Sequence, residues 1–160
     1  MSRPARVIGV GQRMAGDDGA GLAVIDVLRR RGVPEGLELI EVAEPSALIP
    51  LLTEPGDSVL VDAVLGAPAG EVLELSSDEL ARCAALSLPC HGVGLAEAVQ
   101  LARLMARSPA SGEVRLVAIR IHRPRRQTTS LSPAVAAGVL EAAERILAQA
   151  SRPSAAVLPP

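Results

Sequence analysis

The chain has 160 residues, of which 49% are hydrophobic and 21% are charged, and its formal net charge is −2. This length and composition predict one globular domain with one hydrophobic core and exclude extensive disorder. The chain has no Phe, Tyr or Trp, so it lacks the aromatic platforms on which single-stranded nucleic acid stacks. The small net charge gives no long-range field that would attract nucleic acid or a membrane. We therefore expect neither as a partner.

The cysteines and the apolar segments indicate a cytoplasmic protein. Cys83 and Cys90 are the only cysteines and do not form a CxxC pair, so they do not provide a disulfide framework. No apolar stretch approaches the ~20 residues that cross a bilayer. The N-terminal segment shows no signal-peptide cleavage site, and we expect neither export nor membrane insertion.

The first half of the chain alternates between strand-like and helix-like apolar patterns. Short apolar runs predict strands at Ala5–Gly11, Leu37–Val42 and Ser58–Leu65. Apolar residues at helical spacing predict a helix from Gly21 that ends in a basic turn, and Pro45 can open a short helix to Leu52.

The second half continues the alternation. Polar and apolar residues alternate over Glu71–Leu75, as expected for a half-exposed edge strand. A helix is predicted from about Gly94 to Ala106 and a fifth strand at Val114–Ile121. Ser132 as N-cap and Pro133 at the first helical position open the last helix.

This order of elements predicts a layered α/β/α domain with a mostly parallel central sheet. We expect residues 1–150 to form this single domain and the Pro-, Ser- and Ala-rich residues 151–160 to be a disordered tail. In such sheets, chemistry gathers beyond the carboxyl ends of the strands.

The glycines after the first strand do not form a nucleotide-binding site. A dinucleotide-binding fingerprint that begins at Gly9 and Gly11 would require a third glycine where the chain has Met14. Asp17 and Asp18 would also place negative charge where a phosphate should lie. A tight turn explains the glycines without a ligand.

Three side chains near the carboxyl ends of the strands are candidate ligands or catalytic groups. Asp18 belongs to an acidic pair before a helix, where one carboxylate can simply cap the helix. Asp62 interrupts an apolar run, either as a hydrogen-bonded core residue or as a ligand. His91 precedes a predicted helix, where a surface position is the alternative. Two converging carboxylates repel each other unless one is protonated or a cation lies between them.

Together, these three groups form an oxygen and nitrogen set suited to zinc, nickel or iron, with coordination positions left open. The alternative nucleophiles are weak. Ser58, Ser87 and Ser130 lie in no GxSxG motif, and neighbouring Cys90 and His91 do not make the spatial pair of a cysteine protease. A hydrolase with this sequence is therefore expected to use a water molecule activated by a metal or a carboxylate.

Five segments resemble, in order, the motifs of the hydrogenase maturation protease family. They are Val7–Gly11, Gly16–Gly21, Val61–Val64, Ser87–Leu95 and Leu131–Val135. The resemblance implies a mixed, mostly parallel five-stranded sheet in an α/β/α sandwich. It also implies an endopeptidase that removes a short C-terminal peptide from the large-subunit precursor of a nickel–iron hydrogenase after nickel insertion.

By the same resemblance, Asp18, Asp62 and His91 match the metal ligands of the family and are the expected catalytic residues. The nickel is expected to arrive with the substrate, and zinc or cadmium can take its place in vitro. We expect the free protein to be a monomer. The alternatives are a non-catalytic nickel- or partner-binding accessory module on the same fold, and an unrelated metal-dependent peptidase or amidase.

The sequence departs from the family pattern at three places. Gln12 stands where Asn is common, and Glu41–Ser46 replaces a glycine-rich segment. His122–Arg126 replaces a common Glu-Pro. The arginines of this last loop either recognise an acidic partner surface or are simply solvated. These departures concern substrate choice more than fold.

Overall fold

The computed structural model describes residues 4–84, 94–106, 112–123 and 128–151. The strands are β1 Arg6–Val10, β2 Glu38–Val42, β3 Ser58–Leu65, β4 Val72–Ser76 and β5 Val114–Ile121. The α-helices are α1 Ala20–Arg31, α2 Leu48–Thr53, α3 Ser77–Ala84, α4 Leu95–Met105 and α5 Pro133–Ala150. Short 3-10 turns at Gly16–Gly19 and Pro45–Ala47 precede α1 and α2.

The five strands form one sheet in the order β2-β1-β3-β5-β4. All neighbouring pairs are parallel except β4, which runs antiparallel to β5 at the edge of the sheet. The predicted mixed, mostly parallel five-stranded sheet is confirmed, as is the edge position of β4.

The side chains of successive strand residues point to opposite faces of the sheet, and each face has its own hydrophobic core. Val59 and Val61 pack with α1 and α5, whereas Leu60 packs with α2, α3 and α4. Because the central strands are covered on both faces, they are apolar nearly throughout, as parallel strands usually are. Helices on both faces confirm the three-layer α/β/α sandwich.

The first turn of α1 lies unusually close to the sheet. A Cβ atom added to Gly21 would lie 2.4 Å from the carbonyl oxygen of Val61 and 2.5 Å from that of Val10. Only glycine permits this approach. It holds the turn that precedes α1 beside the carboxyl ends of β1 and β3.

One helix was not predicted from the sequence. Residues Ser77–Ala84 form α3, and a capping box at its start provides the signal that was missed. The Glu79 carboxylate accepts a hydrogen bond from the Ser76 backbone N–H at 2.7 Å, and the Ser76 hydroxyl accepts one from the Glu79 N–H at 3.3 Å. This reciprocal pair satisfies N–H groups that an open helix start leaves without partners.

Of the predicted tail, only Ser151 is described, at the end of α5, and 152–160 lie outside the described residues. The last helix begins at Pro133 as predicted, but the Ser132 side chain makes no capping hydrogen bond. No described helix combines the length and the apolar character needed to span a membrane.

The contact between α5 and the turn before β4 gives a test of the packing. A Cβ on Gly138 would lie 2.4 Å from the Gly70 carbonyl oxygen. In an ordinary helix, Gly→Ala raises stability by about 1 kcal/mol. Here we expect Gly138→Ala to lower the free energy of unfolding by about 1 to 3 kcal/mol, because the backbone must shift. Urea denaturation measures the change.

The exposed neighbour Ala137 provides the control. Ala137→Gly should cost about 1 kcal/mol through helix propensity alone. A stability gain from Gly138→Ala would show that α5 does not lie against Gly70 as described.

Candidate active site

The candidate site lies in a crevice at the carboxyl ends of β1 and β3. From β1 the chain crosses through α1 to β2 on one side, whereas from β3 it turns toward β4 and β5 on the other. The connections therefore diverge between two neighbouring parallel strands. Such points are the usual ligand sites of open α/β sheets, because the diverging connections leave a cleft.

Two of the predicted site residues meet in this crevice. Asp18 lies in the 3-10 turn that follows β1, and Asp62 lies in the carboxyl half of β3. Both line a groove of about 360 Å³, which is also lined by Gln12, Ala43 and Pro45. The two carboxylates are close enough that the charge of Asp18 raises the pKa of Asp62.

The environment of Asp62 favours its protonated form when no cation is present. Burial is the main cause that raises its pKa to about 7, and the charge of Asp18 adds to it. The Ala63 N–H donates a hydrogen bond of 2.8 Å to Asp62 Oδ1, which lowers the pKa in part. No described residue forms an ion pair with either carboxylate. The groove can therefore accept a cation.

Asp17, the other acidic residue of the pair, has a structural role. Its Oδ1 accepts a hydrogen bond of 2.7 Å from the Ser132 backbone N–H, next to the start of α5. Capping of the following helix was one alternative for an acid of this pair, but no side chain caps the N-terminus of α1. Asp17 instead accepts from the residue that precedes α5. The tie leaves Asp18 as the exposed acid beside the groove.

The third predicted residue, His91, lies outside the described residues, as do Ser87 and Cys90. The described chain resumes at Gly94, the N-cap of α4. α4 in turn contacts the Pro45–Ala47 turn, which borders the groove through Pro45.

The alternative serine nucleophiles do not reach the groove. Ser58 is buried at the amino end of β3, away from Asp62, and Ser130 is exposed in the segment before α5. No cluster of three His, Cys, Asp or Glu side chains occurs within the described ranges. The predicted three-ligand set includes His91 and is therefore not tested by this finding.

Comparison with known proteins identifies the family. The profile of the hydrogenase maturation protease family matches residues 23–149. The chain belongs to this family. No curated protein matches the sequence significantly. Among solved structures, the hydrogenase maturating endopeptidase HybD from E. coli is 23% identical, with a TM-score of 0.71 and 89% of each chain covered.

Two archaeal structures of the family are similar in the same way. The nickel–iron hydrogenase maturation protease HybD from Thermococcus kodakarensis is 25% identical with a TM-score of 0.65, and the match covers 88% of this chain and 94% of that one. The hydrogenase 2 maturation peptidase from Thaumarchaeota archaeon SCGC_AB-539-E09 is 27% identical with a TM-score of 0.63, over 91% and 97% of the two chains. These matches agree with the α/β/α fold, and the family to which the chain belongs is one of proteases.

An ionic network that the sequence did not reveal supports one wall of the groove. Arg13 donates hydrogen bonds to Asp26 of α1 at 3.1 and 3.2 Å and to Glu41 of β2 at 2.6 Å. Arg29 also pairs with Glu41. The loop that leaves β1 is thereby tied to a helix and a strand. The partners are distant in the sequence, so no local pattern predicts the network.

The raised pKa of Asp62 predicts how the stability of the metal-free protein depends on pH. The folded state holds the proton up to about pH 7, whereas the ordinary pKa of 3.8 applies to the unfolded chain. The free energy of unfolding should therefore fall between about pH 4 and 7 and then level off. At about 1.4 kcal/mol per pKa unit, the fall is at most about 4 kcal/mol.

Asp62→Asn should lack this fall and be more stable than the unaltered protein above pH 7, as measured by denaturant titration at several pH values. Asp78→Asn, at a carboxylate with 88% side-chain exposure, should keep the fall. Identical pH profiles for Asp62→Asn and the unaltered protein would contradict this electrostatic description of the groove.

The two neighbouring aspartates should also differ in their effects on stability. Asp17→Ala leaves the Ser132 N–H without its acceptor and should lower the free energy of unfolding by about 1 to 2 kcal/mol. Asp18→Ala removes an exposed group and should change it by no more than about 0.5 kcal/mol. Urea denaturation compares the two, and a larger loss from Asp18→Ala would reverse the assigned roles.

Proposed function

We propose that this protein is the endopeptidase that removes a short C-terminal peptide from the nickel-loaded large-subunit precursor of a nickel–iron hydrogenase. The observation that carries the proposal is the pair of carboxylates, Asp18 and Asp62, at the strand crevice of a hydrogenase maturation protease. Neither has an ion-pair partner among the described residues. We expect the protein to act in the cytoplasm and to be a monomer when free.

The donor set fits a metal ion that arrives with the substrate. Two carboxylates and the imidazole of His91 supply three oxygen and nitrogen ligands and leave other positions open for ligands of the substrate. Asp62 must lose its proton to bind the ion, so binding is expected to strengthen as the pH rises. Nickel is thus part of the substrate, and zinc or cadmium can replace it in vitro.

This arrangement explains why cleavage would follow nickel insertion. Without nickel, Asp62 favours its protonated form, and the pair has no cation of the precursor to coordinate. With nickel, Asp18, Asp62 and His91 complete the coordination of the ion and bring the scissile peptide into the groove. The same three residues therefore recognise the substrate and act as the catalytic residues.

The proposed reaction is hydrolysis of one peptide bond. Nickel polarises the scissile carbonyl, and a water molecule adds to the carbonyl carbon. The C–N bond then breaks, both protons of the water pass to the leaving amine, which departs as an ammonium group, and the other product ends in a new carboxylate. In water enriched in ¹⁸O, the new carboxylate should gain one heavy oxygen.

Cleavage of the precursor tests the proposal. We expect the purified protein to release one defined C-terminal fragment from nickel-loaded precursor and none from the nickel-free form, as followed by intact-protein mass spectrometry. Asp18→Asn, Asp62→Asn and His91→Ala should each reduce the rate by at least about 100-fold, because each removes a ligand that positions the reacting bond.

The chain offers matched controls. His122 is the only other histidine and is exposed, and Asp78 is an exposed acid on α3. His122→Ala and Asp78→Asn should cleave at the unaltered rate. An intact precursor in a nickel-dependent complex would favour the non-catalytic accessory module. Cleavage of nickel-free precursor at the same rate would contradict recognition of the metal.

A further inference from the structure

The carboxyl end of β3 has a neighbouring strand on one side only. Pairing of β3 with β1 ends at Val61, opposite Gly9, whereas pairing with β5 continues to Leu65, opposite Ile121. On the β1 side of Asp62–Leu65, no described residue forms a strand. In the part of the chain that the structure describes, a lane without a paired strand, here called the open lane, therefore runs along β3 from the candidate catalytic carboxylate outward.

The backbone directions show which groups face this lane. The Ser58 N–H donates to Glu113 O at 2.8 Å, and the Gly66 N–H donates to Ile121 O at 3.0 Å. In a parallel sheet, the N–H and C=O of one residue point to the same neighbour, and successive residues alternate between neighbours. Residues 58, 60, 62, 64 and 66 thus face β5, whereas Ala63 and Leu65 face the open lane.

Most of the hydrogen-bonding groups in the lane have no described partner. The Ala63 N–H donates to the Asp62 side chain at 2.8 Å. The Ala63 carbonyl and the Leu65 N–H and carbonyl remain, and no described residue bonds to them. The Leu65 side chain is 60% exposed. Such a row of free backbone groups is a template for another extended chain.

The opposite wall keeps the lane open. The Gly11 N–H donates to the Val42 carbonyl of β2 at 3.1 Å, so the chain directly after β1 bends toward β2 and does not pair with β3, before the Gly16–Gly19 turn returns beside the end of β3. Arg13 holds that loop to α1 and β2 through the ion pairs described above. Gly11 and Ala15 present little side-chain bulk to the groove that Ala63 lines from the other side.

The occupant that fits this lane is a short extended peptide. The lane is only four residues long, from Asp62 to Leu65, and lies between β3 and the loop that follows β1 rather than at an edge of the sheet. An extended peptide laid against Ala63 and Leu65 would pass directly beside Asp62. The scissile peptide bond of the proposed substrate must lie at this place if Asp18 and Asp62 are to act on it.

We infer that the substrate segment next to the scissile bond binds by strand addition, with main-chain hydrogen bonds to the Ala63 carbonyl and to the N–H and carbonyl of Leu65. This inference rests on the proposed function. Main-chain bonds fix the direction and register of the peptide with little regard to its side chains. Only a few such hydrogen bonds can form. The strand contact alone therefore binds the precursor weakly, and tight binding also requires the nickel of the substrate to be coordinated.

The Leu65 N–H can be removed without touching the β3–β5 ladder. Proline at an unpaired edge position lacks the donor yet preserves the extended backbone. We expect Leu65→Pro to raise the KM for nickel-loaded precursor about tenfold relative to Leu65→Ala, which corresponds to about 1.4 kcal/mol. Leu65→Ala lacks the same side chain but retains the N–H. Zinc binding by Leu65→Pro should stay within twofold, because Leu65 is not a ligand.

The outcomes separate the two proposals. If the unaltered protein does not cleave the precursor, the proposed function fails. If it cleaves and the two Leu65 variants share one KM, strand addition is wrong and the function stands.

Circular dichroism shows whether Leu65→Pro folds, and if it does not, hydrogen exchange in the unaltered protein decides. A deuterium pulse shorter than one turnover should find the Leu65 amide protected by nickel-loaded precursor, while the Gly66 amide is protected with or without it. An unchanged Leu65 amide would overturn the inference.

Discussion

The close approach of α1 to the sheet at Gly21 is the contact on which the site depends. Because no Cβ intervenes, the first turn of the helix lies against the carbonyls of Val10 and Val61, and the preceding 3-10 turn is held beside the ends of β1 and β3. The bond from Asp17 to Ser132 fixes the same turn from the other side. Asp18 is thereby placed across the groove from Asp62, although 44 positions separate them in the sequence.

In this geometry, ionisation of Asp62 beside Asp18 is electrostatically unfavourable, and a cation bound between the two carboxylates would reduce that cost. Burial and the charge of Asp18 both disfavour ionised Asp62, and no described arginine neutralises the pair, although arginines hold the neighbouring loop. The unfavourable charge is confined to the groove while the surroundings are well paired. Under the proposed function, this cost would let the groove distinguish a nickel-loaded substrate from a nickel-free one, and the proposed strand addition along β3 would hold the peptide itself.

Much of this could be predicted from the sequence, for identifiable reasons. The bounds of β3 and β5 were predicted correctly because long β-branched runs flanked by turns admit few alternatives. Asp62 stood out because an acid in such a run needs a partner. The local pattern could not separate the roles of Asp17 and Asp18, since the Asp17 partner, Ser132, is 115 residues away, and only the family resemblance selected Asp18. The pairing of β1 with β3 ends at Gly9. This too depends on tertiary structure, and no local sequence pattern predicts it.

The central claim is that Asp18, Asp62 and His91 together hold the metal of the substrate. Its most direct test is anomalous X-ray diffraction from crystals of the protein soaked in zinc or cadmium. We predict one strong peak in the groove, within about 2.0 to 2.4 Å of a carboxylate oxygen of each aspartate and of a His91 nitrogen. An ion bound elsewhere, with the Asp62 carboxyl still hydrogen-bonded only to Ala63, would contradict the claim.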